Sequence, residues 1–202
     1  SPNSGRIGAA YGIDTIQSAR DMLQRFKELG YKVDWVPETE KELIERLLAG
    51  ITNDQESASD DSIAENAPGM VSLEEYAPEY AEITQFNRDF MEEQWGKPPG
   101  EVSVSRGKMV IPGVIDGNIY IGYQPLRAGL DQHDTIYHSP VVPITHQYLA
   151  FYRWLQRDFG ANVVFHMGCH GTLEWLPGRS LGLSGKGFPD LVLDGLCNVY
   201  PF

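Results

Sequence analysis

Apolar residues return every three to four positions through residues 13–29, where Ile16, Ala19, Leu23, Phe26 and Leu29 share one face and Gly30 follows. That spacing predicts an amphipathic helix with a glycine stop. From Tyr31 to Val36 the period changes to two, between Gly30 and Pro37, as expected of a strand. Residues 39–49 resume a helical pattern that ends at Gly50. Helix, strand and helix in this order predict a parallel α/β layer, although the turn-like Ser4–Gly8 stretch leaves no room for an opening strand.

The pattern then lapses. Residues 52–69 are polar, acidic and nearly free of large apolar groups, which marks a loop or mobile linker. Over 72–95 a helical spacing returns, interrupted by Pro78, with Tyr76, Tyr80, Ile83, Phe86, Phe90, Met91 and Trp95 as core candidates. The second half is richer in glycine and β patterning. Lys108–Ile111 and Asn118–Tyr123 read as short strands joined by an Asp116-Gly117 hairpin turn. Residues 145–158 predict another amphipathic helix, and Ala161–His166 is an apolar run ending in a Gly-rich turn. His166 is thereby placed at a strand's carboxyl end, where open α/β sheets build their ligand sites. The fold class is α/β, with parallel-type sheet layers flanked by helices and one short β-hairpin, incomplete at both ends. Its parts are an α/β N-terminal portion (1–51), an acidic linker or mobile loop (52–75) and an α/β domain carrying the main motif (76–202).

Charge narrows the partners. The chain of 202 residues has a formal net charge of −12. The imbalance lies in residues 1–100, which carry 20 acidic against 9 basic side chains, while residues 101–202 carry 8 against 7. An acidic surface repels phosphate backbones and anionic lipid, so neither nucleic acid nor a membrane surface is an expected partner. Two cysteines, Cys169 and Cys197, match no paired metal or redox spacing. No apolar run approaches a membrane span, and the N-terminus has no signal-peptide pattern. A cytoplasmic location is expected, and the missing initiator Met suggests a processed or excised piece.

The chemistry gathers at residues 165–184, where His166, His170 and Glu174 stand four apart in a stretch broken by Gly168, Gly171 and Pro177. The glycines argue against one continuous helix. A strand ending at His166, a turn, and a short helix opening at Thr172 with Glu174 in its first turn is the better arrangement, since the helix dipole favours a carboxylate there. Imidazole and carboxylate together suit a divalent first-row ion and serve equally as proton acceptors. Taken singly, each has a plainer reading: His166 as a hydrogen-bonded core histidine, Glu174 as a capping carboxylate, Cys169 as a small buried hydrophobe. His138 and His146 flank the Pro140–Pro143 turn; Trp175 defaults to packing, and Arg127 and Arg179 to surface ion pairs.

The string His-Met-Gly-Cys-His-Gly-Thr-Leu-Glu-Trp-Leu-Pro-Gly-Arg-Ser-Leu-Gly-Leu-Ser (166–184) closely resembles the signature of the large subunits of ATP-dependent tetrapyrrole metal chelatases, the family that contains CobN and the H subunit of magnesium chelatase. Gly117–Arg127, Tyr137–Tyr152 and Phe188–Phe202 resemble further blocks of that family in order, and Gly8–Ser18 through Tyr31 does so more loosely. Cys169 departs from the usual Lys or Thr. The resemblance implies a tetrapyrrole substrate and a divalent metal substrate. Cobalt leads, because Leu173-Glu-Trp-Leu-Pro177 is similar to cobalt-type subunits; the macrocycle would be a corrin precursor such as hydrogenobyrinic acid a,c-diamide, in cobalamin biosynthesis. Magnesium and protoporphyrin IX are the alternative. It further implies that ATP is hydrolysed by separate AAA+ and integrin-like (metal-ion-dependent adhesion) subunits. This chain, lacking a P-loop, would be a fragment inactive alone.

Under that resemblance His166, His170, Glu174 and His138 are the expected metal-handling residues, with Glu174, His170 and His166 moving protons. Arg127, His146, Trp175, Arg179 and Lys186 are the expected substrate contacts, since a guanidinium matches a peripheral carboxylate bidentately. Two readings from other classes remain beside it: a metal-dependent hydrolase, and a non-catalytic scaffold that docks partner subunits.

Overall fold

The computed structural model describes residues 9–10, 13–55, 58–129, 136, 139–168, 172–178 and 187–200. Two-residue strands β1 (Ala9–Ala10) and β2 (Ile13–Asp14) precede helix α1 (Thr15–Glu28), which Asp14 caps by accepting from the Gln17 N–H. Helix α2 (Glu40–Ala49) is capped by Thr39 and ends at Gly50. Helix α2 keeps its predicted boundaries to within a residue, whereas α1 begins two residues later than predicted because Ile13–Asp14 form β2; each helix begins after a side chain able to satisfy an otherwise orphaned backbone donor.

Tyr31–Val36 does not form the expected strand. Bonds to the later hairpin tether it instead: the Asn118 N–H donates to Lys32 O at 2.8 Å, and the Trp35 N–H donates to Asp116 Oδ2 at 3.2 Å. Asp116 sits in the hairpin of β6 (Val114–Asp116) and β7 (Ile119–Ile121). Gly117 at its turn has φ +59, and a Cβ there would lie 2.2 Å from Lys32 O, so both the turn and the close approach require glycine.

The acidic stretch is not a linker throughout. Ser59 caps helix α3 (Asp60–Asn66), whose Ile63 is buried, and strand β3 (Gly69–Val71) follows. Asp60 and Asp61 in the first turn of α3 favour the helix dipole, so local composition that reads as disorder here starts a helix. β3 pairs antiparallel with β5 (Lys108–Ile111), which also pairs with β4 (Val104–Ser105). The 108–111 strand is thus a sheet centre rather than an arm of the hairpin. The predicted long helix divides into α4 (Leu73–Glu82) and α5 (Gln85–Trp95); the break falls at Ile83, not at Pro78, because Thr84 caps the second helix.

Helix α6 (His146–Arg157), capped by Thr145, is the centre of the molecule. Every residue from His146 to Leu155 is buried, so the expected one-sided helix is enclosed all round. It packs on β5 and β3, with Met109, Ile111, Ile144, Tyr148 and Leu149 inaccessible to solvent. Each such side chain contributes roughly 1.5–3 kcal/mol. Strand β8 (Val163–Phe165) then pairs parallel with β9 (Cys197–Val199), with the short helix α7 (Phe188–Leu193) between them in sequence. Among the described residues this is the parallel pair of the expected α/β fold; the other sheets are antiparallel, as suits short strands joined by tight turns.

Candidate functional site at the carboxyl end of β8

His166 follows β8 directly, and its backbone N–H donates to Val199 O at 2.9 Å, extending the parallel pairing by one residue. The ring is half-buried and stacks on Tyr200 at 5.0 Å between centroids. Its Nδ1 lies 2.6 Å from Asn198 Oδ1 and its Nε2 lies 2.9 Å from Tyr152 Oη.

The contacts continue. Gln124 Nε2 donates to Tyr152 Oη (3.2 Å) and Tyr148 Oη (3.3 Å), while Gln124 Oε1 accepts from the Thr172 N–H (2.7 Å). Tyr148 Oη and Thr172 Oγ1 are 2.6 Å apart. Burial holds both tyrosine hydroxyls above their ordinary pKa, Tyr148 well above, so each stays protonated and available as a donor. Tyr148 and Tyr152 are neighbours on one helix face at i, i+4 and stack at 5.5 Å. Thr172 opens a 3₁₀ turn, Thr172–Trp175, which contains Glu174 as the spacing predicts.

A second joint lies at Arg127, which is fully buried. Its Nη1 donates to Trp175 O at 3.2 Å and its Nη2 to Val142 O at 2.5 Å. Two of its donors on backbone carbonyls make Arg127 a tie between segments in this structure. His146 is enclosed as well. It is 1% exposed, its Nε2–H donates to Gly96 O at 2.9 Å, and its Nδ1 accepts from Tyr76 Oη at 3.2 Å. The rings of Tyr76 and Tyr80 pack edge-on to it, which makes it a core histidine.

Burial also lowers the pKa of His146 from its ordinary 6.5, against opposing contributions from the Gly96 hydrogen bond and from Glu92. The unfolded chain therefore binds a proton that the folded chain resists. The contribution is complete above pH 6.5 and is lost as pH falls below it. The thermal midpoint is expected to drop on acidification from about pH 7 to about pH 5, and His146→Gln to flatten that slope; equal slopes in differential scanning calorimetry would contradict the assignment.

His138, His170, Arg179 and Lys186 lie outside the described residues, as do Cys169 and the side chain of Glu174. Trp175 is half-buried beside the carbonyl that Arg127 holds. The neck of the segment carrying Arg179 and Lys186 is described: the Phe188 N–H donates to Pro177 O at 3.2 Å, and a Cβ on Gly178 (φ +96) would lie 2.7 Å from Gly187 Cα. Residues 177–178 and 187–188 are therefore in contact. A cavity of about 730 Å³ lies elsewhere, lined by Asn53, Gln55, Trp95, Leu126 and Gly129 among others, and His166 with its partners does not line it. No helix among the described residues is long and apolar enough to cross a membrane.

Sequence reasoning missed Gln124, Tyr148, Tyr152 and Asn198. Their signal is that polar residues stand at set places within otherwise apolar blocks, two of them one helical turn apart.

The model of the CobN/Magnesium Chelatase family matches residues 1–202. The chain is 37% identical over 198 residues to the aerobic cobaltochelatase subunit CobN of Pseudomonas aeruginosa, covering 98% of this chain and 16% of that protein. It is 34% identical over 203 residues to the magnesium-chelatase H subunit of Chlorobaculum parvum, covering 98% and 15%. Among solved structures, the catalytic subunit of cobaltochelatase from Mycobacterium tuberculosis superposes with a TM-score of 0.78 at 36% identity, covering 96% of this chain and 17% of that one. The chain thus spans about one sixth of the length of these relatives. With the family model matched from end to end, and a fold shared with a solved cobaltochelatase subunit, this chain belongs to the CobN/magnesium chelatase family.

Proposed function

We propose that this chain is the part of a chelatase large subunit at which a divalent ion enters a tetrapyrrole, with Co²⁺ and a corrin precursor such as hydrogenobyrinic acid a,c-diamide as its substrates. One observation carries the reading: the motif blocks that resemble the family, 117–127, 137–152, 166–184 and 188–202, contribute Gln124, Tyr148, Tyr152, His166, Thr172 and Asn198 to a single hydrogen-bonded chain at the carboxyl end of β8. Insertion requires that the ion lose its water shell and that two pyrrole protons depart. Imidazole nitrogen replaces water on a first-row ion, and a carboxylate accepts a proton near neutral pH. His166 and His170 would guide the ion together with His138, Glu174 would take protons, and Arg179, Lys186 and Trp175 would hold the macrocycle. ATP would be hydrolysed by AAA+ and integrin-like partner subunits.

Magnesium insertion into protoporphyrin IX is the second reading, supported by the similarity to the magnesium-chelatase protein of Chlorobaculum parvum. The two separate in one assay. The full-length subunit, with its partners and ATP, is expected to shift the absorbance of the corrin on binding and again on adding Co²⁺, and to leave protoporphyrin IX with Mg²⁺ unchanged; the reverse selectivity would establish the second reading. Tight stoichiometric zinc with neither macrocycle bound would overturn both in favour of a hydrolase.

A further inference from the structure

We propose that Asn198 is a positioning residue that holds His166 as its Nδ1–H tautomer, so that Nε2 is the nitrogen offered to the divalent ion, and that the Tyr152 hydroxyl caps Nε2 until the ion arrives. This rests on the chelatase reading above.

The assignment follows from one group whose role is fixed. The Thr172 backbone N–H can only donate, so the Gln124 atom 2.7 Å from it is the carbonyl oxygen Oε1. The Gln124 amide nitrogen therefore faces the tyrosines and donates to Tyr152 Oη. With that oxygen accepting from Gln124, its own O–H can turn to His166 Nε2 at 2.9 Å, and the proposed arrangement places it there. A neutral imidazole whose Nε2 accepts carries its proton on Nδ1, and Asn198 Oδ1 stands 2.6 Å from Nδ1 to accept it. The backbone N–H sets the sense of the Gln124 amide, so its rotation is excluded.

Ligating histidines commonly donate their second ring N–H to a carbonyl oxygen, which fixes ring orientation and raises the basicity of the other nitrogen. Asn198 occupies that place here, reached across the β8–β9 pairing of Val164 with Asn198. The Tyr200 ring stacked on the imidazole opposes rotation out of plane.

The test is steady-state insertion by the full-length subunit with its partners, using Co²⁺ and hydrogenobyrinic acid a,c-diamide, each varied in turn. Asn198→Leu is expected to raise the KM for Co²⁺ by on the order of 10-fold or more, without changing the KM for the macrocycle. Asn198→Asp, which keeps an acceptor at Oδ1, is expected to restore the KM to within about threefold of wild type. Tyr152→Phe, which uncaps Nε2 and leaves the Asn198 bond intact, is expected to lower it. Opposite signs for Asn198→Leu and Tyr152→Phe are a signature that loss of packing cannot produce. An unchanged Co²⁺ KM in a folded Asn198→Leu, or equal defects in the Leu and Asp variants, would overturn the proposal. Absence of any insertion by the wild-type complex would instead overturn the chelatase reading, and this inference with it.

Discussion

His166→Gln in the intact subunit is expected to lower the metal-insertion rate by a factor of about 10² to 10⁴ while the subunit stays folded and still binds its tetrapyrrole. Glutamine is the discriminating choice. Its amide can donate toward Asn198 Oδ1 and accept from Tyr152 Oη, so both hydrogen bonds of the imidazole have a replacement. What it cannot supply is a basic ring nitrogen. A structural role would survive the exchange, and a role in guiding the ion or taking a proton would not. Thermal unfolding and tetrapyrrole absorbance report the first two properties, and the rate of metallation reports the third. A folded His166→Gln subunit that inserts metal at the wild-type rate would remove His166 from the chemistry.

Arg127→Met carries the largest expected cost in stability, about 3 kcal/mol, because two carbonyl groups lose the donor that a fully buried guanidinium gives them. Trp175 O and Val142 O belong to different motif blocks, and Arg127 belongs to a third. The loss is thus felt at the joint between blocks rather than within one of them. For a chain of this length it corresponds to a fall of roughly 6–12 °C in Tm. Arg127→Lys should recover little, since a single ammonium cannot reproduce a planar fork spanning two acceptors. Calorimetry of both variants checks this, and a drop of less than about 1 kcal/mol in Arg127→Met would show that the carbonyls find other donors.

Local signals in the sequence were sufficient where one segment decided the outcome. α1 and α2 appear where their periodicity and capping residues place them, α6 begins at the residue after Thr145, and β8 ends where the Gly-rich turn begins. Partners distant in sequence were not legible. Nothing in Lys108–Ile111 says that it will pair with Gly69–Val71 rather than with the following strand, and a two-residue turn such as Asp116-Gly117 is compatible with either arrangement. The burial of α6 on all sides is also a tertiary result: its polar His146, Gln147 and Arg153 read as a wet face until their partners are known. Gln147 Nε2 donates to Val110 O, and Arg153 pairs with Glu79 and Asp194, so each of these side chains has a partner inside the protein.

At the site, residue types that advertise chemistry were visible and those that arrange it were not. His166 was placed at its strand end from local pattern alone. Arg127 and His146 drew attention for the same reason, as charged or titratable groups near the motif, yet both are enclosed and committed to backbone or tyrosine partners. Gln124, Tyr152 and Asn198 carry no such label, because an amide or a phenol acquires meaning only from what stands opposite it.

The sense of the Gln124 amide originates in a main-chain amide, that of Thr172, and inheritance acts on side chains. Substitutions at position 172 can alter the hydroxyl offered to Tyr148, but every encoded amino acid except proline keeps the amide hydrogen. The reference that orients Gln124 is therefore shielded from almost every mutation at its own position. Drift in this region is expected to register instead as paired changes among Gln124, Tyr152 and Asn198.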